Sequence, residues 1–184
     1  MSIKDKLING EVAKEYKKLI GKGFHVDMWG KRCKRISKSI ELIEFYSELF
    51  ENFKGLNVLD IGCFSGLFTF LISDIANYVI GVDKSPTPIQ CANTIKSNLE
   101  ISNINFINKY IGEFIQDKDH LSLNIDALFI HKSMGQMVKR EVENLRSIVP
   151  LVKIIIITGE YLNDIKGFDK EEKSKLGIWI LRKI

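Results

Sequence analysis

The sequence predicts an α/β fold in which a doubly wound, mostly parallel sheet carries helices on both faces. Strand-like apolar runs alternate with segments of helical periodicity, a pattern typical of βαβ units and a parallel sheet. A strand, a glycine-bracketed turn and a helix follow one another between residues 57 and 72. The next predicted strand ends in a carboxylate, Asp83. Such folds bind ligands at the carboxyl ends of their strands.

The periodicity assigns the elements in chain order. Residues 4–20 and 37–53 carry apolar side chains at helical spacing, and a glycine-rich segment after residue 20 separates these two helices. Further along the chain, short apolar runs bounded by turn residues predict strands, and the segments between them predict helices. The predicted strands are 57–61, 78–82, 104–108, 125–130, 152–158 and 178–183, and the predicted helices between them are 66–75, 86–100 and 137–147.

Length and composition indicate one compact globular chain. The 184 residues are 45% apolar and 27% charged. No apolar run reaches the roughly 18–20 residues that cross a bilayer, and the N-terminus has no hydrophobic signal core, so we expect a cytoplasmic protein with no membrane partner. Cys33, Cys63 and Cys91 lie far apart and form no C-x-x-C pair, which predicts free thiols in a reducing compartment and no metal site.

The turn between Ile61 and Leu67 is the most informative segment. An apolar strand beginning at Asn57 stops at Gly62, and a second apolar run starts directly after Gly66. Glycine is required where the backbone takes a positive φ or comes within contact distance of a ligand. The N–H groups and positive dipole end of a helix that starts here favour a nucleotide-like or anionic ligand. The spacing fits neither G-x-G-x-x-G nor G-x-x-x-x-G-K-[ST], which argues against a P-loop.

The segment from Val58 to Gly66 resembles motif I of the class I S-adenosylmethionine-dependent methyltransferases. That motif reads hydrophobic-hydrophobic-D-x-G-x-x-x-G, and here it is Val-Leu-Asp-Ile-Gly-Cys-Phe-Ser-Gly. The resemblance covers roughly residues 50–158 and implies a Rossmann-like domain with strand order 3-2-1-4-5 and S-adenosylmethionine as the cofactor. The family usually adds a helix and an antiparallel hairpin at its end. Only about 26 residues follow residue 158, with one clear strand, so we expect a shortened C-terminal hairpin.

A ribose-binding carboxylate is the second feature of the predicted site. In doubly wound nucleotide folds, a carboxylate about 20 residues after the glycine-rich turn accepts hydrogen bonds from ribose hydroxyls. Asp83 matches this spacing, and the resemblance implies the same role. Many family members place an acid after the third strand, against the adenine amine, but this chain has Asn108, whose amide or neighbouring backbone groups would make that contact. The predicted cofactor-binding residues are Asp60, Gly62, Cys63, Phe64, Gly66, Asp83, Lys84, Asn108 and Ile111.

The residues that follow the fourth predicted strand are candidates for catalysis. His131 lies where a general base could take a proton from an oxygen or nitrogen acceptor, and Lys132 where it could position a phosphate or lower a neighbouring pKa. The alternative is that His131 is a helix-cap or loop residue with no chemical part. The sequence has no Asn-Pro-Pro-Tyr-like motif, no cysteine pair and no evident spaced Lys-Asp-Lys-Glu set, so the acceptor is not identified.

The first 40 residues are basic, with eleven Lys and Arg against four Asp and Glu, a net charge of +7. Basic residues interleaved with aromatic ones can neutralise phosphates and stack on bases. We predict a basic helical extension or lid at residues 1–36 and a Rossmann-like methyltransferase domain at 37–184. The alternatives are a solvated lysine-rich surface and a segment that closes over the cofactor. The predicted substrate-binding residues are Trp29, Lys31, Arg32, Lys34 and Arg35.

These features predict a small cytoplasmic methyltransferase that uses S-adenosylmethionine on an oxygen or nitrogen acceptor. The basic N-terminal segment favours RNA as the acceptor, and the short chain favours a small metabolite. The missing acid after the third strand favours a non-catalytic module that only binds S-adenosylmethionine. The sequence does not predict the oligomeric state.

Overall fold

Seven strands form one central sheet in the computed structural model. The strands are β1 (Asn57–Ile61), β2 (Tyr78–Asp83), β3 (Ile104–Asn108), β4 (Ala127–His131), β5 (Ile154–Thr158), β6 (Phe168–Lys173) and β7 (Ile178–Lys183). Their order across the sheet is β3-β2-β1-β4-β5-β7-β6. The structure describes residues 1–20, 40–117, 124–131, 145, 148–158, 167–173 and 177–184.

The strands β1 to β5 run parallel, and the order of the chain reverses between β1 and β4 at the centre of the sheet. β7 pairs antiparallel with β5, and β6 pairs antiparallel with β7. All five residues of β5 are buried, as expected for a parallel strand that is covered on both faces. The predicted α/β class and the strand order 3-2-1-4-5 are confirmed.

Helices cover both faces of the sheet. They are α1 (Ile3–Ile8), α2 (Glu11–Ile20), α3 (Ile40–Phe50), α4 (Leu67–Ser73), α5 (Pro86–Asn98) and α6 (Ile111–Gln116). Successive strand residues point to opposite faces, so Val58 enters one core layer while Leu59 enters the other. Side chains of α1 to α5 fill the first layer, and side chains of α6 fill the second together with Leu145 and Ile148. None of the helices described is long and apolar enough to cross a membrane.

The single helix predicted over residues 4–20 is two helices, because the chain turns at Gly10. Gly10 has a φ of 74°, a left-handed conformation that ends α1 and is accessible to glycine at little cost. Both helices pack on the core through Leu7 and Tyr16, each 1% exposed. The Asp74 carboxylate accepts hydrogen bonds from the backbone N–H groups of residues 3 and 4, at 2.7 and 2.6 Å. The predicted domain boundary after residue 36 lies outside the described residues and stays a prediction.

Two elements were not predicted from the sequence. The first is α6, whose start is stabilised by the Glu113 carboxylate, which accepts a hydrogen bond from the Tyr110 backbone N–H at 3.2 Å. The second is β6, which pairs with β7 over six residues and completes a two-stranded hairpin where the sequence showed one clear strand. Five of the six β6 residues are charged, as is common for an edge strand, so β6 has no apolar alternation to reveal it. The helix predicted at 137–147 lies almost wholly outside the described residues.

Candidate cofactor and acceptor site

The glycine-rich turn is held against β2 by its own backbone. The N–H groups of Gly62 and Cys63 both donate to the Val82 carbonyl oxygen, at 2.8 and 3.2 Å. Three residues of the turn have positive φ: Gly62 (72°), Phe64 (52°) and Gly66 (84°). Left-handed backbone is strained for a side chain such as that of Phe64 and suits glycine, which explains why the turn is bracketed by two glycines.

Gly66 is also required by packing. A Cβ atom added to Gly66 would lie 2.5 Å from Cζ of Phe106, a β3 side chain that is 6% exposed. The same ring approaches Gly81 on β2, where an added Cβ would lie 2.8 Å from Cδ1 of Phe106 and 2.9 Å from Sγ of Cys63. Gly66 and Gly81 therefore let the aromatic ring pack directly beneath the turn.

The Asp83 carboxylate ties the turn to the end of β2. One carboxylate oxygen accepts the Phe64 N–H at 3.0 Å, and the other accepts the Ser85 N–H at 2.8 Å. Each oxygen has a second lone pair, so the carboxylate retains the capacity to accept hydroxyl donors. The Asn108 amide donates to the Asp83 carbonyl oxygen at 2.9 Å, which places the ends of β2 and β3 side by side.

The remaining predicted cofactor residues at this edge surround the end of β3. The Lys84 ammonium lies 5.9 Å from the centre of the Tyr110 ring, a cation–π distance. Ile111, the first residue of α6, is 5% exposed and belongs to the core layer on that face. The structure therefore places Asp83, Lys84, Asn108 and Ile111 at the ends of β2 and β3 and the start of α6. Their contact with a cofactor stays a prediction.

Asp60 lies beneath the turn and is 2% exposed. The Thr69 hydroxyl donates to its carboxylate at 2.5 Å. The pKa of Asp60 is raised to about 7, mainly by burial; the Thr69 hydrogen bond lowers it and the Asp83 charge raises it. Burial and the two nearby carboxylates also raise the pKa of the Cys63 thiol well above its usual range. Both side chains pack under the loop, and their direct contact with a cofactor stays a prediction.

Ser65 and Tyr16 belong to the site but were missed in the sequence. The Tyr16 hydroxyl, from α2, donates to the Ser65 carbonyl oxygen at 2.5 Å. The Ser65 side chain is fully buried, and within the described part of the chain its hydroxyl has no hydrogen-bond partner. A buried hydroxyl without a partner is costly, which makes it a candidate ligand contact. Its place between the two motif glycines was the available signal, whereas nothing local to Tyr16 indicated a contact 49 positions away.

His131 is the last residue of β4, at the same sheet edge as the turn. Its Nδ1 lies 2.5 Å from the Thr158 hydroxyl oxygen, and Thr158 is the last residue of β5. The imidazole ring lies 4.5 Å from the Phe68 ring and 6.4 Å from the Tyr46 ring, centre to centre. His131 is thus a strand-end residue within an aromatic cluster. Thr158 was not predicted, because its role arises from pairing with another strand.

The other predicted acceptor-side residues lie outside the described residues. These are Lys132 and the set Trp29, Lys31, Arg32, Lys34 and Arg35. Their roles stay predictions. In the ranges that the structure describes, there is no group of three or more His, Cys, Asp or Glu side chains that could hold a metal ion.

The fold and the turn define a doubly wound α/β protein with a nucleotide-type cofactor site at the switch point of its sheet. A family model described as "Methyltransferase domain" matches residues 52–172. The chain belongs to this family, and the resemblance to the S-adenosylmethionine-dependent methyltransferases is thereby confirmed.

Individual relatives are similar over parts of their length. The 23S rRNA (uracil(1939)-C(5))-methyltransferase RlmD of Francisella tularensis subsp. novicida is 35% identical over 86 residues, which are 47% of this chain and 18% of RlmD. Monomeric WbdD superposes with a TM-score of 0.59 at 15% identity, over 76% of this chain and 41% of WbdD. SMU.1697c from Streptococcus mutans, in complex with SAH, superposes with a TM-score of 0.58 at 13% identity, over 77% and 97%. At such low identity, the two structures support the fold alone.

Proposed function

We propose that the chain transfers a methyl group from S-adenosylmethionine to an oxygen or nitrogen acceptor, with RNA as the favoured class of acceptor. The observation that carries the proposal is the link between the glycine turn and the Asp83 carboxylate, through the Phe64 N–H at 3.0 Å. It holds a backbone loop and a ribose-binding acid in one rigid arrangement at the switch point. A non-catalytic binding module would need only this part of the site.

The residues around the turn fit S-adenosylmethionine. Asp83 has lone pairs for the two ribose hydroxyls, and the buried Ser65 hydroxyl has no partner in the described structure to satisfy it. We assign the adenine to the Asn108 and Ile111 side, with Lys84 at the rim. Asp60 supports the turn from below through its hydrogen bond with Thr69. When bound, the cofactor supplies an electrophilic methyl carbon on a sulfonium sulfur.

An oxygen or nitrogen acceptor is favoured over a carbon acceptor by the state of the described cysteines. Covalent activation of a pyrimidine carbon needs a reactive thiolate. Cys63 and Cys91 are both buried free thiols, and burial raises the pKa of each, that of Cys91 to about 12. Neither is suited to act as a nucleophile at neutral pH. Unpaired buried thiols also support the cytoplasm as the working compartment.

RNA is favoured by charge and by the partial similarity to an rRNA methyltransferase. The first 40 residues carry a net charge of +7, which suits a polyanion. We assign Trp29, Lys31, Arg32, Lys34 and Arg35 to this acceptor, with Lys132 near a phosphate. A small aromatic metabolite is the second candidate, and the half-buried Tyr46 ring beside His131 is the observation that favours it.

Cofactor binding is tested by calorimetry with S-adenosylmethionine and with its demethylated product S-adenosylhomocysteine (SAH). The proteins compared are the parent and Asp83→Ala. Loss of a charge-assisted bidentate contact should cost roughly 2–3 kcal/mol, about 30- to 150-fold in affinity. The matched control is Asp169→Ala, which removes an exposed carboxylate from β6 at the far edge of the sheet. Unchanged affinity in Asp83→Ala would remove Asp83 from the site.

The acceptor class is tested by labelled-methyl transfer to total cellular RNA and, separately, to a small-molecule extract. A second measurement follows the affinity of the protein for RNA as a function of salt concentration. Each phosphate contact that is lost should reduce the steepness of log affinity against log salt by about one. The variant replaces four basic residues of the N-terminal segment with Ser: Lys31, Arg32, Lys34 and Arg35. Its charge-matched control replaces four scattered residues with Ser: Lys54, Lys96, Lys170 and Lys183. An unchanged slope in the first variant, or label only in the small-molecule extract, would overturn RNA as the acceptor.

A further inference from the structure

Strand register brings His131 and Thr158 together. They are direct partners at the ends of the parallel strands β4 and β5. Paired residues on neighbouring strands project from the same face, so these two side chains meet above the carboxyl edge of the sheet. Phe129 and Ile156, two residues earlier on each strand, form the previous pair and belong to the core layer beneath α3 and α4. The contact is therefore set by the sheet itself.

Thr158 is buried, whereas His131 is partly exposed. Thr158 is 3% exposed, and its hydroxyl oxygen lies 2.5 Å from His131 Nδ1. The Phe68 ring packs at 4.5 Å from the imidazole, centre to centre, and restricts the tilt of the ring. A short hydrogen bond in a largely apolar setting is strengthened by the low local dielectric. The imidazole is consequently fixed in rotation by Thr158 and in tilt by the aromatic ring.

We infer that Thr158 is a positioning residue that holds the His131 proton on Nδ1 and so assigns Nε2 as the nitrogen that takes the proton of the methyl acceptor. The inference rests on the proposed function. Methyl transfer leaves the carbon–sulfur electron pair on sulfur and forms a bond from the acceptor oxygen or nitrogen to the methyl carbon, so the acceptor must lose one proton. A neutral imidazole has one protonated and one basic nitrogen. His131 can take a proton at Nε2 only when Nδ1 carries the hydrogen. The Thr158 hydroxyl oxygen lies 2.5 Å from Nδ1 and can accept that hydrogen, whereas in the opposite tautomer the same hydroxyl would donate to Nδ1.

The test compares the parent protein with Thr158→Val and Thr158→Ser, all bound to SAH. Valine keeps the branched shape and removes the hydroxyl, whereas serine keeps the hydroxyl. The control is Thr94→Val, which removes a threonine hydroxyl that bonds the Gln90 carbonyl oxygen on the exposed side of α5. Nitrogen-15 NMR of the His131 ring at pH 8, assigned with His131→Gln, reports the tautomer without turnover. Single-turnover transfer of a labelled methyl group from S-adenosylmethionine to total cellular RNA and to a small-molecule extract, and SAH calorimetry, are measured on SAH-free preparations of the same proteins.

We expect the proton on Nδ1 in the parent, in Thr158→Ser and in Thr94→Val, and on Nε2 in Thr158→Val. Methyl transfer by Thr158→Val should slow about 10-fold or more, with unchanged SAH affinity, and serine should restore most of the rate. A parent ring protonated on Nε2, or a Thr158→Val protein that keeps both the tautomer and the rate, overturns the inference whatever the acceptor proves to be. A parent that binds SAH and carries the Nδ1 proton but methylates no acceptor overturns the proposed function and, with it, the role of Nε2.

Discussion

Replacing Asp60 with Asn should change how the stability of the protein depends on pH. The side chain is 2% exposed, and its pKa is raised from the usual 3.8 to about 7, mainly by burial. The folded state therefore binds the Asp60 proton more tightly than the unfolded chain does. The stabilisation is fully present below about pH 4 and is lost as the pH rises through about 7. Asn has the same shape, accepts the Thr69 hydrogen bond and does not titrate.

The size of the effect follows from the two pKa values. One pH unit is worth about 1.4 kcal/mol, so ionising Asp60 in the folded state costs about 4 kcal/mol relative to the unfolded chain. Most of this loss falls between pH 5 and pH 8, where the parent should lose about 2–3 kcal/mol that Asp60→Asn retains. Other titrating groups are common to both proteins and cancel in the difference.

Urea unfolding at pH 5, 6, 7 and 8, at constant ionic strength, measures that difference directly. The matched variant Thr69→Val removes the hydrogen bond that opposes the pKa shift, so its loss of stability should extend to higher pH. Carbon-13 NMR of the Asp60 carboxyl group gives the pKa independently. A parent and an Asp60→Asn protein whose stabilities differ by the same amount at every pH would refute the reasoning.

Two further predictions concern Gly66 and the buried cysteines. Gly66→Ala should cost about 2–4 kcal/mol in urea unfolding, because it adds a Cβ 2.5 Å from the Phe106 ring at a φ of 84°. Gly10→Ala has the same left-handed strain (φ 74°), and apart from its chain neighbours no described residue lies within 4 Å of the new Cβ. It should therefore cost about 1 kcal/mol, and equal costs would contradict the packing role of Phe106. Cys63 and Cys91 are both buried, and the pKa of each thiol is raised. In a Cys33→Ser protein, both should therefore react with a thiol reagent at pH 8 about 10²-fold more slowly in the folded state than in urea. Rapid reaction of the folded protein would show that Cys63 is accessible.

The central strands β1 and β5 were predictable because burial on both faces leaves a direct mark on composition. β5 consists of four isoleucines and a threonine. β1 begins at the polar residue Asn57 and ends at Ile61, directly before Gly62. The turn between β1 and α4 was predictable for a similar reason, since its two glycines answer a local need for positive φ. Asp83 followed from its place at the end of an apolar strand.

The rest depends on contacts between distant segments. Whether Gly10 interrupts a helix is decided by how α1 and α2 pack on the core, and the apolar spacing of residues 4–20 continues across it. Thr158 pairs with His131 only through the register of two strands 27 positions apart, and a shift of one residue would turn its side chain to the other face. The charges of β6 carry no strand signal because this edge strand packs on one neighbour alone.

The helix α4 connects the two halves of the candidate site. Two consecutive residues in its first turn make the connection: the Phe68 ring packs on His131, and the Thr69 hydroxyl bonds Asp60 beneath the glycine turn. Because Gly66 immediately precedes the helix and is held against Phe106, the turn cannot shift without moving α4. Protein interiors are closely packed, so a displacement of the turn is transmitted to the helix. A cofactor that binds at the turn would therefore also restrain the Phe68 ring beside His131, which would link cofactor binding to the placement of the nitrogen that we propose as the proton acceptor.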